Sequence, residues 1–224
     1  MRTIALISQK GGAGKSTLTI NLAGIAVSRG CSVVIADADP QQSVVDWYKA
    51  RKGRSPMPYV ASTHASQVKD IVERSSANGA DLVLIDTSPN STEESLAIAA
   101  CADLLVVPCA PALIDLRALT RTKSVVDFSG KPAIAVLNRV PHYGNEADQA
   151  ADALRNIGFS VCPHRIGNRA ATRRHYTRSE TISEFEPDGV AAKEFEAVFD
   201  FLCAHAGMPA RAHEPLSPRE VAHG

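Results

Sequence analysis

Five short apolar runs, residues 3–7, 32–36, 82–85, 104–107 and 133–137, lack the polar alternation of a half-exposed strand. Uninterrupted runs of this length predict strands buried on both faces, the habit of parallel sheets. Between them, residues 16–28, 65–78, 91–101, 115–127 and 146–157 carry helical spacing of apolar positions. Repeated strand, helix, strand implies right-handed crossovers and an α/β, doubly wound, mostly parallel sheet with helices on both faces. Gly30, Gly79 and Gly158 fall where helix C-caps are wanted. No internal repeat is present. Residues 1–206 read as a single domain and residues 207–224, with Pro209, Pro215 and Pro218 and few apolar positions, as a disordered C-terminal tail.

Composition narrows the function classes. Lys plus Arg equals Asp plus Glu at 24 each in 224 residues, so no global field draws the chain to nucleic acid or acidic lipid. Any such attraction needs a local patch. The five cysteines are widely spaced and form no Cys-x-x-Cys pair, which fits a reduced cytoplasm better than a disulfide framework or structural zinc. No apolar run approaches the ~18 residues of a membrane span, and the expected location is cytoplasmic with no membrane partner.

The first chemical signal follows the first strand. Gln9-Lys10-Gly11-Gly12-Ala13-Gly14-Lys15-Ser16 is glycine-rich and opens a helix at Thr17. Backbone N–H groups of such a loop form a concave anion site, which side chains would block. Lys15 is placed for the β- and γ-phosphates of a nucleotide and the Ser16 hydroxyl for Mg²⁺. The strict P-loop pattern asks for glycine at position 9, where Gln9 stands, and the dinucleotide pattern fails at Thr17. The second signal is Asp37-Ala38-Asp39-Pro40 at the end of the second strand, two acids on one strand face. One could hold metal while the other orients water, although a turn and helix cap explains the same residues. The third is residues 81–89, an apolar strand ending in Asp86, the Walker B form, with Asp86 near Mg²⁺.

Lys10-Gly11-Gly12-Ala13-Gly14-Lys15-Ser16-Thr17 resembles the deviant Walker A motif of the ParA/MinD superfamily of P-loop ATPases, over roughly residues 1–206. The resemblance is greatest to short ParA-type partition proteins such as ParF, and VirC1 is also similar. It implies ATP and Mg²⁺ as cofactors, with Gly11, Gly12, Ala13, Gly14, Lys15, Ser16 and Thr17 around the phosphates. It further implies Lys10 crossing to the nucleotide of a second subunit in an ATP-bound sandwich homodimer, Asp39 positioning the attacking water, and Asp37 either metal-side or structural. Asn138, in Leu137-Asn138-Arg139, resembles the adenine-reading position, and the 107–111 segment with Asp115 the proline-marked stretch flanking nucleotide and dimer contacts. By the same resemblance a centromere-binding ParB-type partner would stimulate weak ATP hydrolysis, and the ATP-bound form would associate with the nucleoid.

A last feature stands outside the phosphate site. Between 165 and 179 the chain holds Arg165, Arg169, Arg173, Arg174 and Arg178 without an acid. Arg169/Arg173 and Arg174/Arg178 have i,i+4 spacing, which on a helix stacks like charges unless anions pair with them. Arg169, Arg173, Arg174 and Arg178 are expected to contact non-specific DNA through phosphates, although a solvated basic face balanced by Glu180, Glu184, Glu186 and Asp188 accounts for the same run. The competing functions are a positioning ATPase for another cargo, a conjugative DNA-transfer factor, and an ATP-dependent synthetase on the same fold. A MinD-like membrane helix is disfavoured because residues 190–206 carry Glu194, Glu196 and Asp200.

Overall fold

The computed structural model describes residues 1–51, 57–89, 92–111 and 116–209. All five predicted strands are present: β1 (Arg2–Leu6), β2 (Val33–Ala38), β4 (Leu82–Thr87), β5 (Leu104–Cys109) and β6 (Ala133–Leu137), joined by the edge strands β3 (Tyr59–Ser62) and β7 (Ser160–Val161). The order is β3-β2-β4-β1-β5-β6-β7, with every strand pairing parallel. The crossover helices α1 (Lys15–Ser28), α3 (Val68–Ala77), α4 (Thr92–Cys101), α5 (Leu116–Ser129) and α6 (Glu146–Asn156) occupy the predicted segments. Four more helices were not read as crossovers: α2 (Ser43–Lys49), α7 (Ala170–Thr177), α8 (Ile182–Phe185) and α9 (Val190–Ala206).

Alternation along each strand divides the core into two layers. Ile4, Leu6, Ile35, Leu84 and Val106 face α1 and α9, whereas Ala5, Val83, Ile85, Leu105 and Ala135 face the layer built by α4, α5 and α6. Both faces are thereby apolar, which is why the strands read as uninterrupted runs. Helix α9 lays Ala191, Phe195, Val198, Phe199 and Leu202 into the first layer. Its polar side pairs Glu194 with Arg169 and Asp200 with Arg29. An apolar face already buried against the domain is unavailable to lipid, and no described helix is long and apolar enough to cross a membrane. The helix ends at Gly207 with φ 66°, and residues 210–224 of the predicted tail lie outside the described residues.

A buried polar knot ties α1 to the segment after β7. His175 has no exposed surface, and its Nδ1 lies 2.8 Å from the Glu180 carbonyl. A carbonyl only accepts, so Nδ1 carries the proton and Nε2 accepts from Asn21 Nδ2 at 3.2 Å. Asn21 also donates to the Thr17 carbonyl at 2.8 Å, and its Oδ1 accepts from the Ile182 N–H at 2.7 Å. Burial holds the imidazole below its ordinary pKa of 6.5, against the opposing pull of the Glu180 carbonyl and the charges of Glu180 and Glu184.

The sign of the pH dependence follows. A histidine whose folded pKa is depressed takes up its proton more readily when unfolded, so its contribution is complete above the unfolded value of 6.5 and is lost as pH falls toward the folded value. Denaturant unfolding of the wild type and of His175→Gln, measured from pH ~8 down to pH ~5, should show the wild type losing stability relative to the variant below 6.5. The comparison isolates the histidine from Asp86, whose raised pKa gives the opposite slope in the same range.

Candidate functional site: a phosphate cradle at the carboxyl edge of the sheet

Strand β1 runs between β4 and β5, and the glycine loop leaves its carboxyl end, the edge where doubly wound sheets bind ligands. Gly12 and Gly14 have φ of 76° and 93°, left-handed values that a Cβ would strain. At Gly14 a Cβ would also stand 2.1 Å from Asn138 Nδ2. Two residues at the end of β6 brace the loop from the side. Asn138 Nδ2 donates to the Ala13 carbonyl at 3.2 Å and Arg139 Nη1 to the Gly12 carbonyl at 2.9 Å.

The loop's opening residues are anchored on the other side. Gln9 N–H donates to Thr122 Oγ1 at 3.2 Å, and the Ser8 hydroxyl accepts from the Lys10 N–H at 3.2 Å. Lys10 is half-buried at a small recess lined by Pro108, Cys109 and Ala110, so the predicted proline-marked stretch does adjoin the signature lysine. Asp115 lies outside the described residues.

Lys15, Asp37 and Asp86 are all buried beneath the cradle. Asp37 and Asp86 occupy register-paired positions on adjacent strands, β2 and β4. Their environments differ. The Asp37 carboxylate accepts the N–H groups of Val44 and Val45, both at 3.0 Å, and of Asp39 at 3.2 Å. It thereby caps α2 from a distance, since Val44 and Val45 are in that helix's first turn. Burial raises its pKa against the lowering effect of those N–H groups.

Asp86 has Thr19 Oγ1 at 3.5 Å and a hydrogen bond from the Ser16 side chain, but its Oδ2 is buried with no hydrogen-bond partner. Burial pushes its pKa up to about 7, opposed by Ser16 and Lys15 and reinforced by Asp37 and Asp39. Burial likewise lowers the Lys15 pKa, against the pull of Asp86 and Asp39. A carboxylate oxygen with nothing to accept from, beside a hydroxyl, suits a hard cation. Among the described residues no group of three or more His, Cys, Asp or Glu side chains could hold a metal by itself. Mg²⁺ takes one or two protein ligands and completes its shell with water and phosphate oxygens.

Above these groups opens a cavity of about 570 Å³ lined by residues 11–17 of the cradle together with Asp39, Ser43, Pro89, Arg139 and Arg173. Asp39 stands at the mouth, half-buried, with Oδ1 accepting from the Gln41 N–H at 2.9 Å. A second cavity of about 290 Å³ adjoins it, lined by Thr17, Asn138, Arg139, Asn168, Arg169 and Arg173. Asn138 thus borders the space beside the phosphate cradle, with its Oδ1 occupied by the Arg139 N–H at 2.8 Å.

The arginine run does not form the single stripe that its spacing suggested. Arg169 precedes α7 with extended backbone, so it does not stack on Arg173, and Glu194 grips it through two hydrogen bonds at 2.6 and 2.9 Å. Arg165 pairs with Asp148 at 2.5 Å. Arg173 borders both cavities. Arg174 and Arg178 are exposed, the latter with its guanidinium 5.3 Å from the Phe185 ring centre. Arg51, in a stretch that could have offered an alternative basic contact, is buried and paired with Glu184 at 2.7 Å. Sequence reasoning missed the roles of Arg139 and Tyr176. The Tyr176 hydroxyl donates to the Ser43 carbonyl at 3.1 Å and so ties α7 to the start of α2.

Comparison with known proteins bears on the family and the fold. Residues 4–182 match the model of the CobQ/CobB/MinD/ParA nucleotide binding domain. The chain is 32% identical over 201 residues to the maintenance of carboxysome distribution protein A of Gloeobacter kilaueensis, covering 88% of this chain and 89% of that protein. Among solved structures, apo McdA of Cyanothece superposes with a TM-score of 0.73 at 19% identity, covering 90% of this chain and 99% of the other. The septum site-determining protein MinD of Pyrococcus horikoshii, complexed with Mg-ADP, gives 0.72 at 17% identity, covering 94% and 99%.

The two acids at the end of β2 should separate in mutagenesis. Asp37→Ala strands buried N–H groups at the start of α2 and should lower unfolding free energy by about 1–3 kcal/mol. Asp39→Ala removes a partly exposed turn contact and should change stability by less than about 0.5 kcal/mol. Urea denaturation of the two variants beside the wild type checks the assignment.

Proposed function

Because the chain belongs to the CobQ/CobB/MinD/ParA nucleotide-binding family, we propose that it is a ParA-type ATPase that positions DNA or a protein assembly. ATP binding would assemble a sandwich homodimer that holds non-specific DNA, and hydrolysis, stimulated by a partner, would release it. The observation that carries the reading is one cavity with the glycine cradle and Lys15 at its base and Asp39 at its mouth. In this reading the N–H groups of residues 12–16 and the desolvated Lys15 bind the phosphates. Asp39 orients the attacking water, and Lys10 reaches the nucleotide of the second subunit. Asp37 is structural. Ser16 and Asp86 would hold Mg²⁺, which supplies charge neutralisation between the β- and γ-phosphates. Asn138 lies where it can meet the base.

The nucleic-acid contact rests on Arg174 and Arg178, the members of the run that are exposed and stand clear of both the Glu194 pair and the nucleotide cavity. Two such cations per subunit make a weak site, which a dimer strengthens by holding two copies on one body. Similarity to a protein named for carboxysome distribution supports a protein assembly as cargo beside a DNA replicon. A ParB-type or equivalent partner would supply the stimulation, and the protein would be cytoplasmic, on the nucleoid when ATP-bound.

Fluorescence anisotropy of two unrelated DNA duplexes, titrated with protein plus Mg²⁺ and either ATP or ADP over several salt concentrations, tests the proposal. Both duplexes should bind with ATP and not with ADP. Log affinity should fall linearly with log salt at about −0.9 per phosphate contact, and Arg174→Glu should flatten that slope. Binding indifferent to nucleotide, or no binding at low salt, would remove the DNA-moving function and leave an ATP-dependent synthetase.

A further inference from the structure

We infer that Arg173, read in the sequence as part of a DNA patch, is instead a nucleotide-binding residue that closes over the junction between the phosphate and base cavities. The inference deepens the proposed function and rests on it. Arg173 lines both cavities, and so does Thr17, the third residue of α1, on the cradle side. A side chain shared by the phosphate cavity and its neighbour stands at the sugar and α-phosphate end of a nucleotide, not at the γ-phosphate.

The charge of Arg173 is available there. Its Nη1 is exposed and makes one long hydrogen bond, 3.3 Å, to the neutral Asn168 Oδ1. By contrast, Glu194 neutralises Arg169, the other arginine of α7's amino end. The guanidinium of Arg139, across the same junction, bonds a neutral backbone carbonyl in the cradle and, among the described residues, pairs with no acid, so it too keeps its charge for an anion. The helix that carries Arg173 is fixed in height over the cavity from two directions. His175 is held by Asn21 of α1, and Tyr176 donates to Ser43 of α2. A guanidinium on a helix so placed can meet a phosphate oxygen with little loss of conformational freedom.

Titration calorimetry with Mg²⁺-ADP and with Mg²⁺-ATP tests this. Arg173→Ala should weaken both nucleotides about tenfold, the loss of one charge-assisted hydrogen bond. Arg173→Lys should fall between the variant and the wild type. Arg155→Ala, which removes an exposed cation paired with Asp152 on α6, should leave both affinities alone. Thermal melts report folding, and Arg173→Gln, which keeps the aliphatic stem, replaces the Ala variant if that one unfolds. Unchanged ADP affinity without Arg173, or an equal loss in Arg155→Ala, would overturn the inference while leaving the ATPase reading intact. A wild type that binds neither nucleotide would overturn the ATPase reading itself.

Discussion

Two carboxylates without exposed surface stand side by side at the carboxyl edge of the sheet, and the site depends on how each is compensated. Isolated buried charge is costly, and like charges on adjacent strands add to that cost. The structure gives Asp37 three backbone N–H groups and gives Asp86 the Ser16 side chain, the nearby Lys15 ammonium and an oxygen still unpartnered. Compensation of Asp37 fixes where α2 begins, and hence where Asp39 stands. Incomplete compensation of Asp86 leaves an oxygen that, in the proposed function, would accept a cation. One carboxylate shapes the loop, and its neighbour readies the cradle.

The same logic extends outward from α2. Trp47 Nε1 donates to the Glu180 carbonyl at 3.3 Å, and Arg51 donates to the Ser179 carbonyl at 2.9 Å and to both oxygens of Glu184. With Tyr176 on Ser43, these contacts bind α2 to α7 and α8 as one polar-laced unit. The segment bearing Asp39 at one end therefore shares a body with the helix bearing Arg173 and Arg174.

Much of this was legible in the sequence because burial on both faces leaves an unmistakable pattern. Leu82 to Ile85 and Leu104 to Val107 are apolar throughout, and the glycine loop announces itself where β1 ends. Edge strands leave no such trace. Tyr59–Ser62 has two half-buried positions between exposed ends, and Ser160–Val161 is only two residues long. The arginine run misled for a related reason: spacing says which residues share a helix face, but not where the helix starts or which acid lies opposite. Arg169 falls just outside α7, and its partner Glu194 is 25 residues away. Asp37 was ambiguous between metal and cap because both roles ask for a carboxylate at a strand end, and the Val44 and Val45 N–H groups that favour the cap become neighbours only after folding.

In the proposed function the cradle serves a nucleotide shared between two subunits, with Lys10 meeting phosphate only when both sites hold triphosphate. Sedimentation velocity of the wild type and of Asp39→Ala, each with Mg²⁺ and either ATP or ADP, measures this most directly. The protein should be a monomer with ADP and a dimer with ATP, the dimer persisting in Asp39→Ala and disappearing when Lys10→Ala is added. A monomer under every condition, or a dimer that ignores the nucleotide, would contradict it.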